Sequence, residues 1–186
     1  MKHELVRNAL TILKEKGFEE LSAISLSAAC GVSKRTFYKT FDGLNEFLDV
    51  LVDTLCAEVH QEFEKYLVTS IELNPENIEE FFSIMPRLFG RHFETFMLNL
   101  FKVRPDLVKK FLQFRKTEFK KIAEKIISAS TKNGKKRKIN QRVAVDILQV
   151  LVDQIATPQY LLESGENMKT VANSILQIYL YGIYGK

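Results

Sequence analysis

Hydrophobic positions recur at three- and four-residue spacing along almost the whole of this chain. From Leu5 they return at Ala9, Ile12 and Leu13; from Leu44 at Phe47, Leu48, Leu51 and Leu55; and near the end at Val171, Ile175, Ile178 and Gly182. Residues so spaced share one face of an α-helix, so each segment predicts an amphipathic helix with a side to bury. No stretch alternates for long enough to predict a strand. The pattern predicts an all-α chain of about nine helices.

Helix-breaking and capping residues divide the pattern. The first helix is predicted over about 2–16, stopped by Gly17 in the left-handed conformation that helix ends favour. Ser22 caps a short helix of about 23–30, Gly31 breaks it, and Ser33 caps a second over about 34–40. Asp42-Gly43 is a turn, followed by a long helix to about Tyr66. Asn74-Pro75 opens a further helix that Pro86 ends or kinks. A segment at about 87–101 follows, then a long helix from Pro105 to about Ser130. Lys132, Lys135, Lys136, Arg137 and Lys138 form a solvated basic loop. The last two helices are predicted over about 140–163, kinked at Pro158, and about 167–184.

Between Gly17 and Leu48 two helices of two turns each are separated only by Cys30-Gly31-Val32-Ser33, the layout of a helix-turn-helix. On the second, Phe37 and Phe41 lie one turn apart and are expected to face a small core with Leu26 and Leu48. Lys34, Arg35, Thr36, Tyr38 and Lys39 then fall in the opposite arc. Such a helix suits a major groove, because cations read guanine edges or neutralise phosphates and hydroxyls bond phosphate oxygens.

Gly17-Phe18, Ser22 and the run Cys30-Gly31-Val32-Ser33-Lys34-Arg35-Thr36-Phe37-Tyr38-Lys39-Thr40-Phe41 resemble the amino-terminal signature of the tetracycline-repressor (TetR) family of transcription regulators. The resemblance covers about the first quarter of the chain. It implies a homodimeric regulator, most often a repressor. Residues 1–46 would be a three-helix DNA-binding domain and 47–186 a helical bundle for effector binding and dimerisation. Carried over by position, Lys34 and Arg35 make base contacts, Thr36 and Tyr38 phosphate or base-edge contacts, and Lys39 touches the backbone; Ser33 opens the same DNA-facing helix. The chain departs from the family pattern at Thr40, where a small aromatic or His is usual. It departs again at Leu44, where the family often has a phosphate-gripping lysine, and the second helix carries no cation.

Charge bears on the same question. Residues 1–50 hold seven cations and seven acids, so the whole excess of +4 lies later in the chain. The exposed arc of the third helix nevertheless has three cations and no acid, and local charge is what a phosphate meets. Two readings follow: an effector-responsive DNA-binding regulator, or a protein-interaction module that keeps the fold with weakened or lost DNA binding. No segment has the length of apolar sequence that crosses a bilayer and the amino terminus lacks a leader pattern. Cys30 and Cys56 read as buried thiols of a reducing compartment. A cytoplasmic protein without membrane partners is expected.

Nine of the 14 phenylalanines lie between Phe81 and Phe119. Phe89, Phe93, Phe96, Phe111 and Phe114, with Tyr66, are candidates to line a site for a small hydrophobic or aromatic effector, with Arg91 and His92 nearby for orienting hydrogen bonds. Bundle core is the alternative for each. In the last two helices the apolar arc is wider than one core face needs, so Ile147, Leu151, Ile155, Ala172, Leu176 and Tyr179 are candidates for a two-fold four-helix dimer interface. His60 and Glu64 stand one turn apart at a spacing metal ligands use, but with no third partner they read as a surface pair. No phosphate loop, nucleophile elbow or paired-cysteine motif is present, so no catalytic residue, metal or cofactor is expected.

Overall fold

The computed structural model describes residues 1–18, 20–69, 88, 90, 92–132 and 140–184, with backbone alone at 66–69, 126–132, 158, 176, 180, 181, 183 and 184. Among these residues there are nine helices and no strand. They are α1 (Lys2–Lys16), α2 (Ala23–Ala29), α3 (Lys34–Thr40), α4 (Leu44–Thr69), α5 (Phe93–Val103), α6 (Pro105–Lys132), α7 (Gln141–Ile155), α8 (Pro158–Ser164) and α9 (Met168–Tyr184). The fold is all-α, as the periodicity predicts. No helix among the described residues is long and apolar enough to cross a membrane.

Two boundaries and one turn conformation differ from expectation. The single helix expected over 140–163 is two, because the residue before a proline avoids the helical region. Thr157 is extended, at φ −123° and ψ 149°, and its hydroxyl accepts the Tyr160 amide at 3.2 Å, so Pro158 starts α8 instead of kinking α7. Of the segment expected at 87–101, α5 covers Phe93–Val103, and before it Gly90 sits at φ +69°. Gly17 has the expected positive φ of 72°, but its ψ of −178° lies outside the left-handed helical well and is accessible essentially to glycine alone. A Cβ at Gly17 would stand 2.8 Å from the His92 Cβ, and one at Gly90 would stand 2.5 Å from the Lys14 carbonyl oxygen. Gly90 thus lets the chain before α5 meet the backbone at the end of α1, and Gly17 makes room for the His92 side chain. The helix expected between Pro75 and Pro86, and the basic loop from Lys135 to Lys138, lie outside the described residues.

The described residues form two compact units. The first draws on Met1–Glu62 and Pro86–Phe114. Its core is built from Leu5, Val6, Ala9, Leu10 and Leu13 of α1, Leu26, Phe37, Phe47, Leu51 and Leu55, and Phe96 and Leu100 of α5, all buried. Ion pairs tie its helices to α4: Lys14 to Glu58 at 2.8 Å, Arg104 to Asp49 at 2.8 Å, and Lys110 to Asp53 at 2.5 Å. Burial pushes the Cys30 thiol up to about 11; burial first and then Asp53 push Cys56 to about 11, so both stay protonated at neutral pH.

The second unit draws on Phe63–Met85 and Arg115–Lys186. Phe63 and Phe119 meet edge to face at 5.9 Å, and Ala144, Leu148 and Val152 of α7 face Val171, Ile175 and Tyr179 of α9. The Arg115 guanidinium donates to the Ala156 carbonyl and to the Val152 carbonyl, which also accepts the Ala156 amide, at the carboxy-terminal end of α7. The stripe Val171, Ile175, Ile178, Gly182 does not hold to its end. Ile178 is 70% exposed and Tyr179 takes the inner place, its hydroxyl donating to the Ala144 carbonyl at 2.9 Å. A partner for the phenol decides between two neighbours that periodicity treats alike.

Candidate nucleic-acid interface

The helix-turn-helix is assembled by short-range bonds. The Ser22 hydroxyl accepts the Ser25 amide at 3.2 Å while the Ser25 hydroxyl accepts the Ser22 amide at 3.1 Å, a reciprocal cap that starts α2. At its end Gly31 adopts φ +72°, with its amide bonded to the Ala28 carbonyl and that of Val32 to Ser27. The Ser33 hydroxyl then accepts the Thr36 amide at 3.1 Å and opens α3. Ser33→Ala is therefore expected to cost about 1 kcal/mol, read as a lower denaturation midpoint with an unchanged m-value.

Three rings anchor α3 from beneath. Phe37 lies 5.3 Å from Phe41 and 5.2 Å from Phe47 between centroids, and Phe41 and Phe47 meet edge to face at 5.0 Å. Phe37 and Phe41 are buried with Leu26 and Leu48, the core expected from the sequence, and Phe47 is buried beside them. Thr40, the departure from the family pattern, is also buried and donates its hydroxyl to the Thr36 carbonyl at 3.0 Å. A small side chain that satisfies itself within its own helix leaves that space to the rings.

With Phe37 and Thr40 turned inward, Ser33, Lys34, Arg35, Thr36, Tyr38 and Lys39 are all exposed. Tyr38 is 51% exposed, yet its ring edge rests against Phe37 at 5.7 Å, so the phenol is held while its hydroxyl end is presented outward. Among the described residues Lys34, Arg35 and Lys39 join no ion pair, in contrast to Lys2, Lys14, Lys110, Lys116 and Lys121. Cations on one face without acid partners suit a polyanion, since no pair must be broken first. Leu44 is half-buried at the start of α4. One cation that the sequence motif does not include stands beside this surface: Lys2 shares a recess with Tyr38 and Lys39. Its distance along the chain hid it.

Of the six effector candidates, four lie in one run of rings. Phe93 is 6.2 Å from Phe96 and 5.4 Å from Phe111, which is 6.3 Å from Phe114. Phe96 and Phe111 are buried and Phe93 and Phe114 half-buried. Phe89, Arg91 and the Tyr66 side chain lie outside the described residues. His92 precedes α5 and packs at Gly17.

Of the six dimer candidates, Ile147 is exposed, Leu151, Ile155 and Ala172 are half-buried, Tyr179 is buried within its own unit, and the Leu176 side chain lies outside the described residues. Val143, Ile147 and Val150, one stripe of α7, are each at least half exposed.

A capped helix-turn-helix of this form, followed by helices of a diverged bundle, is the architecture of the TetR-family transcription regulators, and the chain has that fold. No sequence-family profile matches it. It is 23% identical over 184 residues, 98% of this chain and 95% of the other, to an uncharacterized HTH-type transcriptional regulator, YvaF, of Bacillus subtilis (strain 168). Among solved structures it resembles a protein assigned to the TetR family from Mesorhizobium loti, with TM-score 0.66 and 13% identity over 98% of this chain and 96% of that one. It also resembles the regulator FadR of Bacillus subtilis in complex with stearoyl-CoA, with TM-score 0.61 and 17% identity over 98% and 100%. All three are described as transcription regulators.

Proposed function

We propose that the chain is a cytoplasmic, homodimeric DNA-binding regulator, a repressor released from its operator by a small hydrophobic or aromatic effector. Residues 1–46 read DNA; residues 47–186 bind the effector and hold the dimer. The observation that carries this reading is the exposed, acid-free face of α3 over its buried phenyl anchors. In a two-fold dimer, two such helices about 34–36 Å apart address successive major grooves on one side of a duplex.

Effector release is supported by the run from Phe96 to Phe114 and by the ion pairs within the same unit. Arg104 pairs with Asp49 and Asp106 and donates to the Asn45 carbonyl at 3.3 Å, and the two carboxylates push its guanidinium's pKa up. Lys110, one residue before Phe111, holds Asp53. A ligand wedged among the rings thus pulls on the first turns of α4, which follow directly on α3. It shifts the protein only by its preference for the non-binding shape, and reversing a 99:1 population takes about 5.5 kcal/mol. The stearoyl-CoA held by FadR fits the chemistry of an apolar effector.

Arg35→Ala is expected to relax base preference with a loss of about 1–3 kcal/mol at its base pair. Tyr38→Phe weakens all sequences alike. Binding measured across a randomised duplex library separates the two, and unaltered affinity in both variants overturns the groove assignment.

The interaction-module reading is favoured by Ile24, which is 68% exposed on the cation-free α2. A salt titration decides between them: phosphate contacts give affinity that falls steeply with salt, whereas a pure protein-binding module gives flat, negligible duplex binding.

A further inference from the structure

The cation absent from the sequence at Leu44 is present in space at the same end of α4. Lys2, in the first turn of α1, directs its ammonium to the Glu46 carboxylate in the first turn of α4, and the same nitrogen stands 5.6 Å from the centre of the Phe41 ring. Glu46 is itself fixed, because it also accepts the Asp42 amide. The Lys2 bond, followed by that amide, holds the Glu46 carboxyl below its ordinary pKa, so it is ionised wherever the protein is folded near neutrality. Lys2, Tyr38 and Lys39 together line an open recess of about 570 Å3 beside the exposed face of α3.

We propose that Lys2, positioned by Glu46 and Phe41, is a DNA-phosphate contact that completes the α3 surface from a different helix. The proposal rests on the DNA-binding reading above. An ammonium has three donors, and the Lys2 side chain remains 45% exposed while paired, so it shares its protons between Glu46 and a phosphate oxygen. Asp42, Glu46 and Asp49 also border the recess. Asp49 is paired with Arg104, which Asp106 shares, and Asp42 and Glu46 leave the recess without net positive charge. Glu46 therefore both positions Lys2 and opposes the phosphate, which makes its removal informative.

The test uses the full chain with an untagged amino terminus and a fluorescein-labelled mixed-sequence duplex long enough for two half-sites, titrated by anisotropy over a range of KCl. Lys2→Ala is expected to reduce the slope of log K against log salt by about 0.9 for each lysine removed. Lys2→Arg restores the slope, which a merely structural role for the ammonium stem would not require. Glu46→Gln, which keeps an acceptor for the Asp42 amide, tightens binding to every sequence. If the Lys2→Ala slope equals that of the unaltered protein while duplex binding persists, the Lys2 assignment fails and the α3 reading stands. If the unaltered protein shows flat, negligible binding, both fail.

Discussion

Phe37→Ala is expected to destabilise the reading head by about 3–5 kcal/mol, the range for removing a fully buried phenyl group. The ring is wholly inaccessible and touches Phe41, Phe47 and Tyr38, so its loss opens a cavity on which three further side chains depend. A seven-residue helix has no independent stability, since nucleation alone costs more than so few bonds return. α3 is therefore expected to lose its fixed position together with its anchor. Urea unfolding followed by circular dichroism measures the stability, and duplex binding measures the consequence. Phe37→Leu fills most of the same volume and is expected to cost distinctly less. A loss below 1 kcal/mol for the alanine variant would contradict the anchoring of α3 described above.

Ile147→Glu combined with Val150→Glu is expected to convert a dimer into a monomer. Both side chains are at least half exposed on one stripe of α7, so neither is needed inside its own unit, and an isolated subunit gains solubility from the change. In a two-fold interface the same carboxylates meet their own copies across the axis, and a buried charge without a partner costs several kcal/mol. Sedimentation should show the mass halved with the helical signal retained. Operator affinity should fall by about 10²–10⁴-fold, because two half-sites are no longer addressed by one linked molecule. Tyr179→Phe is the contrasting change: it removes the bond to the Ala144 carbonyl inside the subunit, costs about 1 kcal/mol, and leaves assembly intact. A doubly substituted protein that still sediments as a dimer would remove the α7 stripe from the interface.

The helix-turn-helix was legible because its determinants are local. Ser22, Gly31 and Ser33 act on backbone groups within five residues, and Phe37 and Phe41 are one turn apart on a helix too short to leave their facing in doubt. The same locality made the break at Thr157-Pro158 available in principle: a threonine before a proline is a helix start, and taking the proline as a kink overlooked its neighbour. Elsewhere periodicity met its limit. Ile178 and Tyr179 are both apolar enough for the inner face of α9, and only the Ala144 carbonyl across the unit separates them. The backbone at Gly17 likewise depends on His92, which is remote in sequence.

What the chain alone determined is thus the helical class, the cap–turn–cap layout and the outward set of Lys34, Arg35, Thr36, Tyr38 and Lys39, since each follows from hydrogen bonds and side-chain facing within a few residues. The tertiary structure alone decided which rings among the phenylalanines adjoin one another, which side of α9 turns inward, and that Lys2 stands beside Tyr38 and Lys39. Those outcomes depend on contacts between residues tens of positions apart, and spacing within one helix carries no information about what another helix brings to it.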